Sequence, residues 1–317
     1  MFNLSLNSSV RHESDGVLLN SDTRVLPLIR RLAAGLLMAG LLAGCNSAPP
    51  KGAFTLGTVR QNLTYCNSQR MDLYIPRVAV TRLLPFVIYV HGGGMTGGDK
   101  SNLNSIFRDA LASAGYAVAS VNYRLAPKFH FPAQIEDVKC AVRYLRDKAR
   151  KYGLNGRRAY AFGTSVGGQL TALAALTGPH SAFDVGPYLA EPSDLLAAVD
   201  MFGPANLTEK SSGFSSFDIE QVFGKNHHDL VLGSPTSSVA PNAPPILLVQ
   251  GVDDKLVLKS QSIELYLDLK AAGDQTQLVL VRNMGHMFAQ AGPMPINPGI
   301  SQIANDMVRF FNNARTG

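Results

Sequence analysis

A serine held between glycines is the residue of this chain best suited to nucleophilic chemistry. The segment GTSVG at residues 163–167 follows an apolar run at 159–162 and precedes residues 169–176, whose leucine and alanine content favours a helix. A sharp strand-to-helix turn presents its central side chain at the end of a sheet, and glycines let the two elements approach closely. The pattern predicts Ser165 as a nucleophile. The alternative is a glycine-rich turn that only packs a helix on a strand.

A serine hydroxyl needs a histidine to take its proton and a carboxylate to orient that histidine. Apolar runs at 245–250 and 277–281 indicate two later buried strands, and each is followed by a suitable side chain. His286 follows the second strand and is the predicted base. Asp253 and Asp254 both follow the first strand, and chemistry alone does not separate them, because either could cap the helix predicted at 260–272.

A second glycine cluster, Gly92-Gly93-Gly94, follows His91 and the apolar run 85–90, which predicts a strand buried on both faces. Acyl transfer develops negative charge on a carbonyl oxygen, and fixed N–H groups stabilise that charge. The N–H groups of Gly93, Gly94 and Val166 are the predicted donors of such an oxyanion hole. The alternative is a glycine loop that binds nothing. We interpret His91 as a buried brace of the loop.

These segments resemble the α/β-hydrolase esterases of the hormone-sensitive-lipase-like group and the neighbouring BD-FAE-like lineage of feruloyl and acetyl esterases. The resemblance runs from about Met71 to the C-terminus. Its other landmarks are MDLYIP at 71–76, GDK at 98–100, NYRLAP at 122–127, FPA at 131–133 with Glu136 and Asp137, and FGPANLT at 202–208.

The resemblance implies an α/β fold with a doubly wound, mostly parallel sheet, helices on both faces and a small cap. It also implies ester hydrolysis by Ser165, His286 and Asp254 without a cofactor, and so selects Asp254 over Asp253. Two residues depart from the family pattern: Val166 replaces the usual alanine, and Gln250 replaces the usual histidine.

Residues 177–243 are expected to form the cap, and apolar residues from other segments are expected to complete the substrate pocket: Met95, Phe129, Phe131, Met287 and Phe288. The branched side chain of Val166 favours short acyl groups, including acetyl esters, over long ones. Arg124, Glu136 and Asp137 are interpreted as a charge network that braces the oxyanion loop.

The N-terminal region resembles a bacterial lipoprotein signal. Arg30-Arg31 precede a short apolar run that ends in LAGC, so residues 1–44 are expected to be a signal peptide and Cys45 the lipid-modified first residue. The alternative is an uncleaved anchor. Residues 45–52 are expected to be a tether and 53–317 the catalytic domain. Asn46 favours the outer over the inner membrane of a bacterial envelope.

Composition excludes some classes of function. The net charge is +6 and there is no run of Lys and Arg, which argues against nucleic-acid binding. No CxxC or HExxH spacing occurs, so we predict no metal. The chain has three cysteines. If Cys45 carries lipid, Cys66 and Cys140 remain, and an exported location permits a disulfide between them without requiring one. The alternative for Cys140 is an unpaired, small residue in the core. Lipase, peptidase and non-catalytic binding lipoprotein remain alternative functions.

Overall fold

The structure of the protein, a computed structural model, describes residues 56–77, 83–224 and 227–314. Eight strands form one sheet: β1 (Leu56–Thr64), β2 (Arg70–Pro76), β3 (Leu84–Val90), β4 (Ala117–Val121), β5 (Leu154–Thr164), β6 (Ala198–Met201), β7 (Ile246–Gly251) and β8 (Thr276–Val281). The helices of the described ranges are α1 (Ser105–Ser113), α2 (Ala133–Asp147), α3 (Ala149–Tyr152), α4 (Val166–Leu176), α5 (Ser216–Phe223), α6 (His227–Gly233), α7 (Lys259–Ala271) and α8 (Ile300–Ala314).

The strand order is β1-β2-β4-β3-β5-β6-β7-β8. All neighbours from β4 to β8 pair in parallel, whereas β1 and β2 form an antiparallel hairpin that joins the sheet at β4. We call the end at which the parallel strands finish the carboxyl edge, and the opposite end the amino edge. In open parallel sheets, ligands bind outside the carboxyl ends of the strands.

Helices cover both faces of the sheet and bury a separate core on each. Along β3, Phe86, Ile88 and Val90 face one core, while Val87 and Tyr89 face the other, as the two-residue period of a strand requires. The first core includes α2, α4 and α7, and the second includes α1 and α8. The sheet is therefore doubly wound, as expected from the resemblance.

The elements predicted around the catalytic candidates all occur, but β6 was not predicted from the sequence. This strand of only four residues lies inside the segment expected to be cap, so the cap is reduced mainly to α5 and α6. Such a short run has no usable periodicity. The expected signal peptide 1–44, Cys45 and the tether 45–52 lie outside the described residues.

Cys66 and Cys140 form a disulfide, which answers the question of pairing that the sequence left open. Cys140 is buried, as expected, but it is cross-linked. None of the described helices combines the length and apolar character needed to cross a bilayer. Within the same described ranges, no three His, Cys, Asp or Glu side chains are grouped in a way that could hold a metal ion.

Candidate active site

Ser165 lies at the turn between β5 and α4, in a backbone conformation that non-glycine residues rarely adopt (φ 56°, ψ −130°). Small neighbours make the turn possible. A Cβ on Gly163 would lie 2.1 Å from the carbonyl oxygen of Gly167, and one on Gly167 would lie 2.1 Å from that of Val90. The serine side chain is thus held at the carboxyl edge with about 8% of the residue exposed.

His286 follows β8 in a short 3-10 turn and contacts the serine. Its Nε2 lies 2.9 Å from Ser165 Oγ, and its Nδ1 lies 2.8 Å from Asp254 Oδ2. The structure therefore brings together the three side chains predicted to act, although 121 residues separate Ser165 from His286. With Nδ1 donating to the carboxylate, Nε2 is free to accept the serine proton.

Asp254, and not Asp253, contacts the histidine. Its second carboxylate oxygen accepts hydrogen bonds from the N–H groups of Leu256 and Val257, at 2.9 and 3.1 Å. The side chain is buried, and these donors stabilise its charge. Asp253 is exposed.

Gln250 supports the same carboxylate, a role that the sequence analysis missed. This fully buried side chain donates to Asp254 Oδ2 at 3.3 Å and to the carbonyl of Val257 at 3.1 Å, and it accepts from Ser262 Oγ at 2.9 Å. The only signal in the sequence was that Gln250 stands where histidine is usual in the family. Ser262, on α7, carried no signal.

The loop of Gly93 and Gly94 lies directly beside the serine. A Cβ on Gly92 would lie 3.1 Å from Ser165 Cβ, and both Gly93 and Gly94 have positive φ angles of 114° and 63°. Gly94, Ser165 and Val166 line one cavity. Val166 begins α4, so its N–H group has no acceptor within the helix and is available to a ligand.

His91 braces this loop from behind. Its Nδ1 lies 2.7 Å from the carbonyl oxygen of Gly92 and donates to it, and its ring stacks on that of Tyr123 with centroids 4.3 Å apart. The Tyr123 hydroxyl donates to the His91 carbonyl at 2.9 Å. Burial lowers the pKa of His91, which favours the neutral ring.

The charge network expected at Arg124 forms. Its guanidinium contacts Asp137 at 2.9 Å and Glu136 at 2.8 Å. The network reaches the glycine loop after β3 through the backbone, because the N–H of Ala126 donates to the carbonyl of Met95 at 2.9 Å. These three charged residues thus hold the loop that follows β4 against the loop that follows β3.

The cavity at Ser165 has a volume of about 180 Å³. Its walls differ from the expected pocket, since none of the five apolar residues proposed from the sequence lines it, and Phe131 is instead core. The lining comes from the glycine loop, the serine turn, the β6 exit, the cap and the Asp254 loop: Gly94, Ser165, Val166, Pro204, Ser212, Gly213, Phe214, Asp218, Leu256 and Val257.

The family model of BD-FAE matches residues 71–269, which is well over half of the chain. The chain belongs to the BD-FAE family. This BD-FAE member is 27% identical over 241 residues to Esterase LipC of Mycobacterium tuberculosis, covering 71% of the chain and 60% of that relative. It is 27% identical over 214 residues to the ethyl acetate hydrolase of Pseudomonas putida, covering 65% of the chain and 66% of that relative. It thus spans about two thirds or less of the length of these curated relatives.

Solved structures agree with the α/β-hydrolase fold of this BD-FAE protein. A truncated carbohydrate esterase from gut microbiota superposes with a TM-score of 0.71 at 27% identity, covering 83% of this chain and 98% of the other. A hyperthermophilic esterase from the archaeon Pyrobaculum calidifontis superposes with a TM-score of 0.68, covering 83% and 88%; at 24% identity it supports the fold alone. The expected fold class is confirmed.

Proposed function

We propose that this BD-FAE protein is a serine carboxylic-ester hydrolase that works through a covalent acyl-enzyme. The observation that carries the proposal is the hydrogen-bonded series from Ser165 Oγ through His286 to Asp254 Oδ2, at 2.9 and 2.8 Å. The two curated relatives reported above are both named as hydrolases of esters. A binding module would have no chemical need for this arrangement.

In the proposed reaction, Ser165 Oγ attacks the ester carbonyl as its proton passes to His286 Nε2. The N–H groups of Gly93, Gly94 and Val166 hold the negative oxygen of the tetrahedral intermediate. His286 then gives the proton to the departing alcohol, while Asp254 stabilises the imidazolium. Water enters, loses a proton to His286, and the second tetrahedral intermediate releases the acid and restores Ser165.

Esters of short acyl groups, or of the acetyl or feruloyl type, are the proposed substrates. The support is the small cavity beside Ser165 and the buried side chain of Val166 in its wall. The carbohydrate esterase among the superposable structures is consistent with an acyl group carried by a sugar. Long-chain lipids are disfavoured because a palmitoyl chain is larger than the cavity of about 180 Å³.

A fluorophosphonate probe tests the catalytic proposal. The purified protein should be labelled once, and Ser165→Ala should abolish labelling and hydrolysis of p-nitrophenyl acetate while the fold is retained by circular dichroism. Wild-type protein that folds but neither reacts with the probe nor hydrolyses the ester would refute esterase activity and favour a ligand-binding lipoprotein.

We also propose that the protein is tethered to a bacterial envelope membrane by lipid on Cys45. The support is the apolar run that ends in LAGC and the disulfide between Cys66 and Cys140, which is typical of exported proteins. Cys45→Ala should release the protein into the soluble exported fraction or leave an uncleaved precursor. Unchanged processing and membrane association would refute the anchor.

A further inference from the structure

A group of cations surrounds α3 at the amino edge of the sheet. The guanidinium of Arg60 lies 5.8 Å, and the ammonium of Lys151 5.4 Å, from the centre of the Tyr152 ring. Arg150 precedes Lys151 on α3, and Arg157 follows Gly156, a residue of β5 that lies close to Ala149. We refer to Arg60, Arg150, Lys151 and Arg157, all exposed, as the basic patch.

Nearby carboxylates do not neutralise the basic patch. Asp147 pairs with Lys148 at 2.7 Å, and Asp194 pairs with Arg146 at 3.0 Å. Glu191 also faces Arg146 and raises its pKa, against the dominant lowering by burial. Within the described parts of the chain, none of the four patch residues forms an ion pair, so their charge is directed to an external partner or to water.

An exposed leucine lies beside the same helix. Leu83 is 55% exposed, and the N–H of the next residue, Leu84, donates to the carbonyl of Gly153 at 3.0 Å, which places Leu83 at the end of α3. Cations around an exposed leucine suit a bilayer interface, where phosphates meet the first apolar groups. A soluble polyanion would bind the cations but offers no apolar group to Leu83.

The chain also enters the domain at this edge. Leu56 pairs with Pro76, and β2 runs antiparallel to β4 with Tyr74 opposite Val118, so the end of β2 and the start of β1 lie at the amino edge. Leu56 is the eleventh residue after Cys45, which gives a reach of at most about 40 Å. The cavity at Ser165 opens at the opposite edge of the sheet.

We propose that the basic patch and Leu83 form a docking surface for an anionic lipid bilayer. The proposal rests on the proposed lipid anchor but not on ester hydrolysis. The anchor brings the amino edge to the membrane, the four cations contact lipid phosphates, and Leu83 enters the interface. Docking in this way turns the carboxyl edge, with the cavity, away from the bilayer and toward substrates in solution.

The test is a lysine footprint of the full-length protein on vesicles. Protein is incubated with phosphatidylcholine vesicles, with or without phosphatidylglycerol, acetylated briefly with a water-soluble reagent, and analysed by peptide mass spectrometry. Acetylation of Lys151 should slow at least about threefold on the anionic vesicles, while that of Lys255 and Lys259, which follow β7 at the carboxyl edge, does not. Salt at about 1 M, where the Debye length is about 3 Å, should remove the difference.

Charge reversal provides the matched comparison. The triple variant Arg60→Glu, Arg150→Glu and Arg157→Glu keeps Lys151 as reporter and should lose its protection. A control with Lys210→Glu, Lys259→Glu and Arg282→Glu, all at the carboxyl edge, has the same net charge and should keep that protection. Equal acetylation of Lys151 on neutral and anionic vesicles, or equal protection in both triple variants, would overturn the proposal. Hydrolysis of a soluble ester measured in parallel keeps this result separate from the catalytic proposal.

Discussion

At the scale of single residues, Val166 couples two requirements of the proposed reaction. Its N–H group is a proposed oxyanion donor, whereas its buried side chain occupies space in the wall of the cavity. Any residue but proline can supply the N–H group, so the side chain is free to set the acyl size. Discrimination by one or two methylene groups in an apolar pocket is typically worth about 1–3 kcal/mol.

Val166→Ala should therefore change selectivity more than rate. We expect the ratio of kcat/KM for p-nitrophenyl octanoate to that for the acetate to rise about tenfold, because the alanine side chain frees space beside Ser165. Val199→Ala makes the same chemical change in the buried core of β6 and should lower stability without changing the ratio. An unchanged ratio in Val166→Ala would place the acyl group outside this cavity.

Gln250 acts on Asp254 through an amide rather than the histidine usual in the family. Gln250→Leu removes one hydrogen-bond donor from the buried carboxylate of Asp254 and the acceptor of the Ser262 hydroxyl, and we expect kcat to fall about tenfold with little change in KM, since the substrate is not contacted. Gln250→His retains a donor and should recover part of the loss. Steady-state kinetics and the rate of fluorophosphonate labelling check this, with thermal unfolding to confirm folding. If Gln250→Leu retains the kcat of the wild type, Gln250 does not position Asp254 for the reaction.

At the scale of elements, the turn that follows the short strand β6 contacts the candidate catalytic histidine, His286. Asp200 Oδ1 accepts from the N–H of Gly203 at 2.8 Å, which closes a turn over Phe202. Phe202 has a φ of 48°, rare for a bulky residue, and its ring packs edge-on against His286 with centroids 5.2 Å apart. The turn thus places the ring of Phe202 against that of His286.

Asp200 gives this turn a measurable pH dependence. Burial raises the pKa of Asp200 to about 7 from 3.8, against the lowering by the Gly203 N–H, so the folded chain favours the protonated acid. The resulting stability is complete below about pH 4 and is lost as the pH rises through 7. Asp200→Asn cannot ionise but still accepts from Gly203. Relative to wild type, it should therefore gain up to about 4 kcal/mol between pH 4 and 8.

Urea denaturation at successive pH values measures that difference. Asp253→Asn, whose carboxylate is exposed in the folded chain, should show no comparable gain. A difference between Asp200→Asn and wild type that is constant from pH 4 to 8 would mean that Asp200 is ionised throughout. Activity of Asp200→Asn at pH 7 should persist, because the turn at Phe202 is kept.

How far the sequence could predict these elements depends on the strength of each local pattern. Apolar runs occur in β3, β7 and β8 and in the second half of β5, and glycines mark the loops after β3 and β5, so the presence and the carboxyl ends of these strands were predictable, whereas the start of β5 at Leu154 was not. The four residues of β6 carry no such pattern, and Phe202 looks like an ordinary core aromatic. Contacts between distant segments, such as Gln250 with Ser262, arise only when the sheet is assembled.

At the scale of the whole molecule, the disulfide fastens the hairpin of β1 and β2 to the helical layer. Cys66 follows β1, Cys140 lies on α2, and their Cα atoms are 6.2 Å apart. Next to the disulfide, Asn67 donates to Asp137 at 2.7 Å, and the Tyr65 hydroxyl bonds the carbonyl of Asn122. The hairpin is thereby linked to the loop that follows β4. The charge network of that loop supports the glycines beside Ser165.

Removal of the disulfide should lower stability but leave the candidate catalytic side chains in place, because Ser165, Asp254 and His286 follow β5, β7 and β8, which the disulfide does not join. The bond spans 74 residues, and a loop of that length restricts the unfolded chain by about 4 kcal/mol. We expect Cys66→Ala with Cys140→Ala to lower the free energy of unfolding by about 2–4 kcal/mol, with near wild-type kcat/KM at 25 °C.

Urea denaturation with and without dithiothreitol provides the measurement. Both cysteines are buried, so the reductant should act on wild type only as the chain unfolds, and it should not affect the double variant. A wild-type transition that dithiothreitol leaves unchanged would show that the mature protein lacks this bond, and the argument for an exported location would lose its structural support.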